Sequence, residues 1–437
     1  MKVVSSYAVE IKNLNRIFED TVNIYRKALS FLIDVYDTEW DYLSSIPQKQ
    51  KRFNIAEHLI HSTNNNKAKY NFDTLFYKMP AYLRRDLINT ALGAVLSYRS
   101  NRKNWEAAGK VGNKPTLQTN RYEMPVFFRD NMYQEESDTV CKVKLFHQND
   151  WVWVTVKLLK TDVDYLKKYW SHTKPSAPKL EKQHKKYYLR FTYEEDTKLS
   201  VVPVEDHIIC SVDLGINSDA VCSIMVSDGT VLARKFINFS SEKDHLYHVL
   251  NRIRKFQREH GSQNSRSFWE YAKRLNIELS RKIAAAVTSF ATEYFADMIV
   301  FEYLDFKGCK YGSKKQKLHM WRKNTIQDLV THKAHRLGIR ISRVCAKYTS
   351  RLAFDGSGEV IRDKDNHSLC TFQNGKRYNC DLLASYNIGA RYFVRELLKP
   401  VSVKKQFLFL AKVPEIGRRT TCTLDTLRKV SNFLKAS

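Results

Sequence analysis

Two apolar strands, each closing on a carboxylate, set the tightest limit on how this chain folds. Residues 207–215 read HIICSVDLG, so Asp213 interrupts a run that asks to be buried. Residues 297–304 read DMIVFEYL, and Glu302 follows Met298-Ile299-Val300-Phe301 in the same way. Burying a carboxylate there is costly unless a cation or a hydrogen-bond network satisfies it. Between the two lie AVCSIMV and VLARKFINF, both strand-like, joined by a turn at Ser227-Asp228-Gly229. A helical region spans about 242–296, and a second helix about 321–337. IRISRVCA is a further strand, and DLLASYNIGARYFVREL is an amphipathic helix that opens on Asp381.

Three antiparallel strands followed by alternating helices and strands is the RNase H-like order, an α/β sheet with helices packed on it. In that order Asp213 lies on the first strand, Glu302 on the fourth, and Asp381 on a helix able to cross both. Singly, each has an ordinary reading: a turn residue, a strand-end solvent contact and a helix cap. Together, three converging acids repel one another and call for divalent cations. Carboxylate donors suit Mg²⁺ or Mn²⁺ rather than zinc. Two such ions about 3.5–4 Å apart would support in-line attack of water on a phosphodiester.

Upstream, the first 120 residues read as mainly helical after a strand from Val3 to Ile11. Val22, Tyr25, Leu29, Leu32 and Tyr36 form one helical stripe, and Leu87, Ala91 and Val95 another, in a helix starting at Pro80. That second helix runs into YRSNRKNW, where Arg99, Arg102 and Lys103 alternate with aromatics, a pattern that suits phosphates and stacked bases as well as a solvated helix end. From about residue 121 the period becomes two, with a hairpin turning at Gln148-Asn149-Asp150 and another strand in KYYLRFTYEE. The stretch 196–206 is polar and contains proline, as a domain boundary would. Lys plus Arg number 73 against 46 Asp plus Glu, a formal net charge of +27, which points to a polyanionic partner. Further candidate phosphate contacts are Arg252, Arg254, Lys255 and Arg258, with Lys314 and Lys315 in the basic tract 310–317. The opening MKVVSSYAVEIK lacks a signal-peptide core, no window approaches 18 apolar residues, and the eight cysteines are sparse. A cytoplasmic, nucleoid-associated protein without a membrane segment is therefore expected.

SVDLGINSDAV, VFEYLDFKG and NCDLLASYNIGAR, in this order, resemble the three RuvC motifs of the TnpB nucleases of insertion sequences and of miniature type V CRISPR effectors. YTSRL at 348–352 resembles the segment preceding that family's zinc ribbon. The similarity runs from about 207 to 397. It implies a first β-barrel strand at 1–12, a helical recognition lobe at 13–120, a wedge-like β-barrel at 121–203 and a RuvC-like nuclease domain at 204–437, with a ribbon-like insert at about 345–380. It also implies Asp213, Glu302 and Asp381 as catalytic residues holding two Mg²⁺ (or Mn²⁺) ions, a guide RNA, and target DNA cut beside a short flanking motif. The family's paired cysteines are missing: Cys345, Cys370, Cys380 and His367 lack ribbon spacing, which argues against structural zinc. Leu383 also stands where the family commonly has Asn. The competing readings are a guided DNA-binding protein that does not cut and a strand-transfer transposase.

Overall fold

The computed structural model describes residues 1–13, 16–117, 122–215, 218–261, 265–303 and 322–436. It divides into two compact units, Val4–Glu195 and Met1–Val3 with Asp196–Ser437.

In the first unit, β1 (Lys2–Glu10) leads into α1 (Ile17–Thr38), α2 (Trp40–Ser44), α3 (Lys49–Ile60), α4 (Phe72–Leu75) and α5 (Ala81–Ala107). The stripe on α1 is buried throughout, as are Leu87, Ala91 and Val95 on α5, and the two helices pack together. Pro80 precedes α5 as its cap and is not its first helical residue. Six strands then form two three-stranded sheets: β2 (Tyr133–Ser137), β3 (Val140–His147) and β4 (Asp150–Lys157) in order β2-β3-β4, and β1 with β5 (Lys179–Gln183) and β6 (Lys186–Asp196) in order β1-β6-β5. Helix α6 (Lys160–Trp170) joins them. The β3–β4 turn is two residues long, because His147 already pairs with Asp150. Gln148 and Asn149 take φ of 47° and 60°, the left-handed pair that matches strand twist. One hydrophobic cluster includes residues of the helices and of both sheets, so this half shares a single core.

The second unit is built on a five-stranded sheet of β7 (Ile209–Asp213), β8 (Ala220–Met225), β9 (Val231–Ile237), β10 (Met298–Tyr303) and β11 (Arg340–Cys345), in order β11-β10-β7-β8-β9. β7, β8 and β9 are antiparallel, whereas β10 runs parallel to both β7 and β11. The helical region at 242–296 is two helices, α7 (Ser240–His260) and α8 (Arg266–Glu293), with Gly261 at φ 71° ending the first. After β10 come α9 (Lys323–Arg336), three short strands β12 (Ile361–Arg362), β13 (Leu369–Thr371) and β14 (Arg377–Asn379), then α10 (Cys380–Leu398), α11 (Val403–Lys412) and α12 (Leu424–Lys435).

Strand alternation sends side chains to two cores. Cys210, Val212, Ile299 and Phe301 face α8 and α9, while Ile209, Met298, Val300 and Val344 face α10 and α12. Asp213 continues the second series on β7, and Glu302 continues it on β10.

Helix α10 lies close against this face. A Cβ added at Gly389 would stand 3.1 Å from both Met225 Sδ and Ser211 Oγ. The thioether can shift, but Ser211 Oγ is held by a 3.1 Å bond to the Ser223 carbonyl. Gly389→Ala gains about 1 kcal/mol of helix propensity and costs about 1–3 kcal/mol by overpacking. We therefore expect a net loss of roughly 1 kcal/mol in urea denaturation; a more stable variant would show that α10 has room to move away.

Candidate carboxylate site

Strands β7 and β10 pair in parallel, Phe301 beside Val212, so Glu302 and Asp213 come next on neighbouring strands. Adjacent strands lie about 4.8 Å apart, and both acids sit at the carboxyl ends of their strands, where open α/β sheets form their crevices. Asp381 comes to the same edge from α10. It shares a stripe with Ser385 and Gly389, four and eight residues on, and Ser385 Oγ meets Ser223 Oγ at 2.6 Å on the sheet. A Cβ at Gly215, two residues beyond Asp213, would stand 3.8 Å from Asp381 Oδ2 and only 2.7 Å from the Ser218 carbonyl. The glycine of the Asp-Leu-Gly motif thus permits a close approach.

Asp381 does not cap its helix. The side chain of Asn379 accepts from the backbone N–H groups of Asp381 (3.0 Å) and Leu382 (2.9 Å), which leaves the Asp381 carboxylate free to face the site.

Burial raises the pKa of all three acids. For Asp213 the effect is large, and the charges of Glu302 and Asp381 add to it while Arg362 opposes. Burial dominates for Glu302, opposed by the Thr349 hydroxyl and by Arg391. Burial also dominates for Asp381, opposed by the Ser218 hydroxyl and Arg362. Arg362 and Arg391 compensate the trio only in part, since all three pKa values stay raised, and hard divalent cations are what such donors hold. Among the described residues, no group of three or more His, Cys, Asp and Glu is placed so as to hold a metal ion. The donor chemistry fits Mg²⁺ or Mn²⁺.

Sequence reasoning missed the support behind Glu302. Thr349 donates its hydroxyl to Glu302 Oε1, and Gln327 donates its amide to the Glu302 carbonyl at 3.1 Å. Asn387, fully buried, donates to the carbonyls of Thr349 (2.9 Å) and Leu352 (2.8 Å) and accepts from the Leu424 amide (3.3 Å). The signal was present in the YTSRL segment, but its partner lies 47 residues upstream.

The proposed nucleic-acid contacts divide. On α7, Arg252, Arg254, Lys255 and Arg258 are exposed opposite the buried Leu246, Val249, Leu250 and Ile253. Lys103 on α5 is exposed as well. Arg99 instead pairs with Asp37 at 2.7 Å, tying α5 to α1, and Arg102 bonds Glu106 and Tyr98. Lys314 and Lys315 lie outside the described residues.

The insert around β12–β14 is built on aromatic packing. Phe354 contacts Phe372, Tyr378 and Tyr386 with ring centroids 5.0–5.4 Å apart. Leu383, the departure from the family's Asn, is buried in this cluster with Cys370, Phe372 and Cys380. Burial pushes the Cys370 thiol up to about 12, and Cys345 lies elsewhere, exposed on β11.

A mixed sheet with acids gathered at the carboxyl ends of its parallel strands, preceded by a helical and β unit, defines the class to which comparison can be made. A match to the Aq_aa04 family covers residues 5–147. Among solved structures, the chain is similar to that in the cryo-EM structure of the Cas12f1–sgRNA–target DNA complex: 16% identity, 85% of this chain and 81% of that one, TM-score 0.54. It also matches the mini-RNA-guided endonuclease CRISPR-Cas_phi3 (11% identity, 88% of this chain and 92% of that one, TM-score 0.49). A third match is C2c1 of Alicyclobacillus acidoterrestris in complex with single-guide RNA (9% identity, 87% and 66%, TM-score 0.45). No curated protein matches. The likeness to Cas12f1 shows a shared mixed α/β fold. Among the described residues, no helix is long and apolar enough to cross a membrane.

Proposed function

We propose that this protein is an RNA-guided DNA endonuclease whose RNase H-like (RuvC-type) domain cuts with Asp213, Glu302 and Asp381. The observation that carries the reading is the convergence of three carboxylates with raised pKa on one sheet edge. The partners in the Cas12f1 complex, a guide RNA and target DNA, support the same assignment here. A surface of net charge +27 fits a protein that grips nucleic-acid backbone and leaves sequence choice to base pairing.

Asp213, Glu302 and Asp381 would hold two divalent ions, which when bound supply an activated water and stabilise the leaving oxygen. Thr349 fixes the Glu302 carboxylate, while Arg362 and Arg391 moderate the negative field. In the insert, aromatic packing of Phe354 on Phe372, Tyr378 and Tyr386 holds the short strands together. The Val4–Glu195 unit would serve as the recognition lobe and wedge, with α7 offering a basic face to phosphates.

The test is to sequence the RNA that copurifies with the protein and to assay Mg²⁺-dependent cleavage of a matching DNA library with randomised flanks. A discrete RNA whose match is needed for cutting is the expected result. RNA-directed binding without cutting would leave a guided binder, and strand-transfer products would revive the transposase reading.

A further inference from the structure

Between the two three-stranded sheets of the first unit, beside α6, lies a cavity of about 380 Å³. Val9 and Phe191 line it from one sheet, Tyr133 and Cys141 from the other, all of them buried. Leu166 of α6 closes a third side. Tyr193 completes the wall, its ring packed on Trp170 and Tyr7 with centroids 4.8 and 6.3 Å away. Water gains little in such a space, since it needs about two to four polar partners and these walls present mainly carbon. The rim is different: Glu135, Glu136 and Asp138 line it against Lys167, on a chain whose net charge is +27. Glu135 is engaged by Arg129 at 3.0 Å and by the Tyr133 hydroxyl at 3.4 Å. Glu136 and Asp138 pair with Lys142 and Lys167, side chains that are 41% and 51% exposed. Exposed pairs contribute little, so an incoming ammonium group can take a lysine's place. The negative field also reaches inward. Burial pushes the Cys141 thiol up to about 12, and the charges of Glu135 and Glu136 add to that rise.

We propose that this cavity binds a small organic cation with a slim apolar body, its carbon chain between the sheets and its ammonium group at Glu136 and Asp138. The acidic rim repels phosphate, so this site is separate in kind from the basic faces of the chain. It lies wholly within Val4–Glu195 and does not depend on the carboxylate chemistry of the second unit. Size sets the class of ligand. At ~30 Å³ for each water-sized group, the cavity takes roughly 12 of them, and its volume falls in the range of about 300–1,000 Å³ usual for small-molecule sites. A peptide segment fits less well, because its main-chain N–H and C=O groups would meet apolar walls that cannot satisfy them.

Titration calorimetry of the full chain at neutral pH with butylamine, hexylamine and octylamine reads the apolar half of the site. Each buried methylene should tighten binding about fourfold, so octylamine should exceed butylamine by roughly two orders of magnitude. Octanoate, of the same length and opposite charge, reads the rim and should bind at least about tenfold more weakly than octylamine. Glu136→Gln/Asp138→Asn neutralises the rim at side chains that are 36% and 71% exposed. That double variant should lose the preference for octylamine over octanoate and bind uncharged octanol as the wild type does. An affinity that does not rise with chain length would overturn the proposal, because the carbon chain would then lie outside the cavity. So would a preference for the amine that survives in the double variant, since its charge would then be met elsewhere on the surface.

Discussion

If the proposed function holds, Asp213→Asn should reduce guided DNA cleavage by at least ~10³-fold, while the metal-free protein should become more stable at neutral pH. The catalytic loss follows from removing a ligand whose metal would supply several kcal/mol of charge stabilisation: about 4 kcal/mol corresponds to about 10³ in rate. The gain in stability follows from the sign of the Asp213 shift. Its folded pKa lies above its unfolded value, so the native state holds the proton more tightly. Below the unfolded pKa, near 3.9, the group costs nothing. As pH rises from there through the raised folded value, the wild type loses stability relative to Asp213→Asn, and above it the difference is constant. Urea denaturation of both proteins in EDTA across that range reads the effect, and the difference cancels every other titrating group. Mg²⁺ should restore the wild type and not the variant. Equal stability at all pH values would show that neither burial nor the neighbouring acids penalise the Asp213 carboxylate, and the argument for a metal there would lose its physical basis.

Asn387→Ala destabilises the protein by roughly 2–4 kcal/mol, because two buried carbonyls and one amide lose their partner at once. The same change frees the Thr349 turn and with it the hydroxyl that holds Glu302. Cleavage should then need a higher Mg²⁺ concentration for half-maximal rate. Thr349→Val separates the two effects. It removes only the hydroxyl and should cost about 1 kcal/mol, yet raise the Mg²⁺ requirement to a similar degree. If Thr349→Val leaves that requirement where it was, the bond to Glu302 has no part in metal binding.

The strands carrying Asp213 and Glu302 were legible because a charge inside an apolar run stands out whatever the fold. The helical stripes on α1 and α5 and the β3–β4 hairpin were equally plain, since each depends on neighbours within a few residues. What escaped was non-local. Arg99 reads as a phosphate contact until Asp37, 62 residues earlier, is seen to hold it. Thr349 and Asn387 acquire their roles only when α10 docks. Taken alone, Asp381 could pass for a cap; the residue that caps the helix, Asn379, stands two residues before it. Leu383 read as a departure from a pattern; in place it packs the hydrophobic cluster under the insert.

The parallel pairing of β7 with β10, closed by α10, has a consequence for timing. Asp213 and Asp381 are 381 − 213 = 168 positions apart, and Asp381 comes to the sheet only on a helix that ends at Leu398. During synthesis, at about 5–20 residues per second, the ribosome makes the first of these acids many seconds before the last. Until Glu302 is added the growing polypeptide holds one of the three acids, from then until Asp381 it holds two, and throughout it lacks the helix that covers them. On the proposed function, a nascent or truncated product would be inert toward the DNA around it, and cutting would begin only after the third acid arrives.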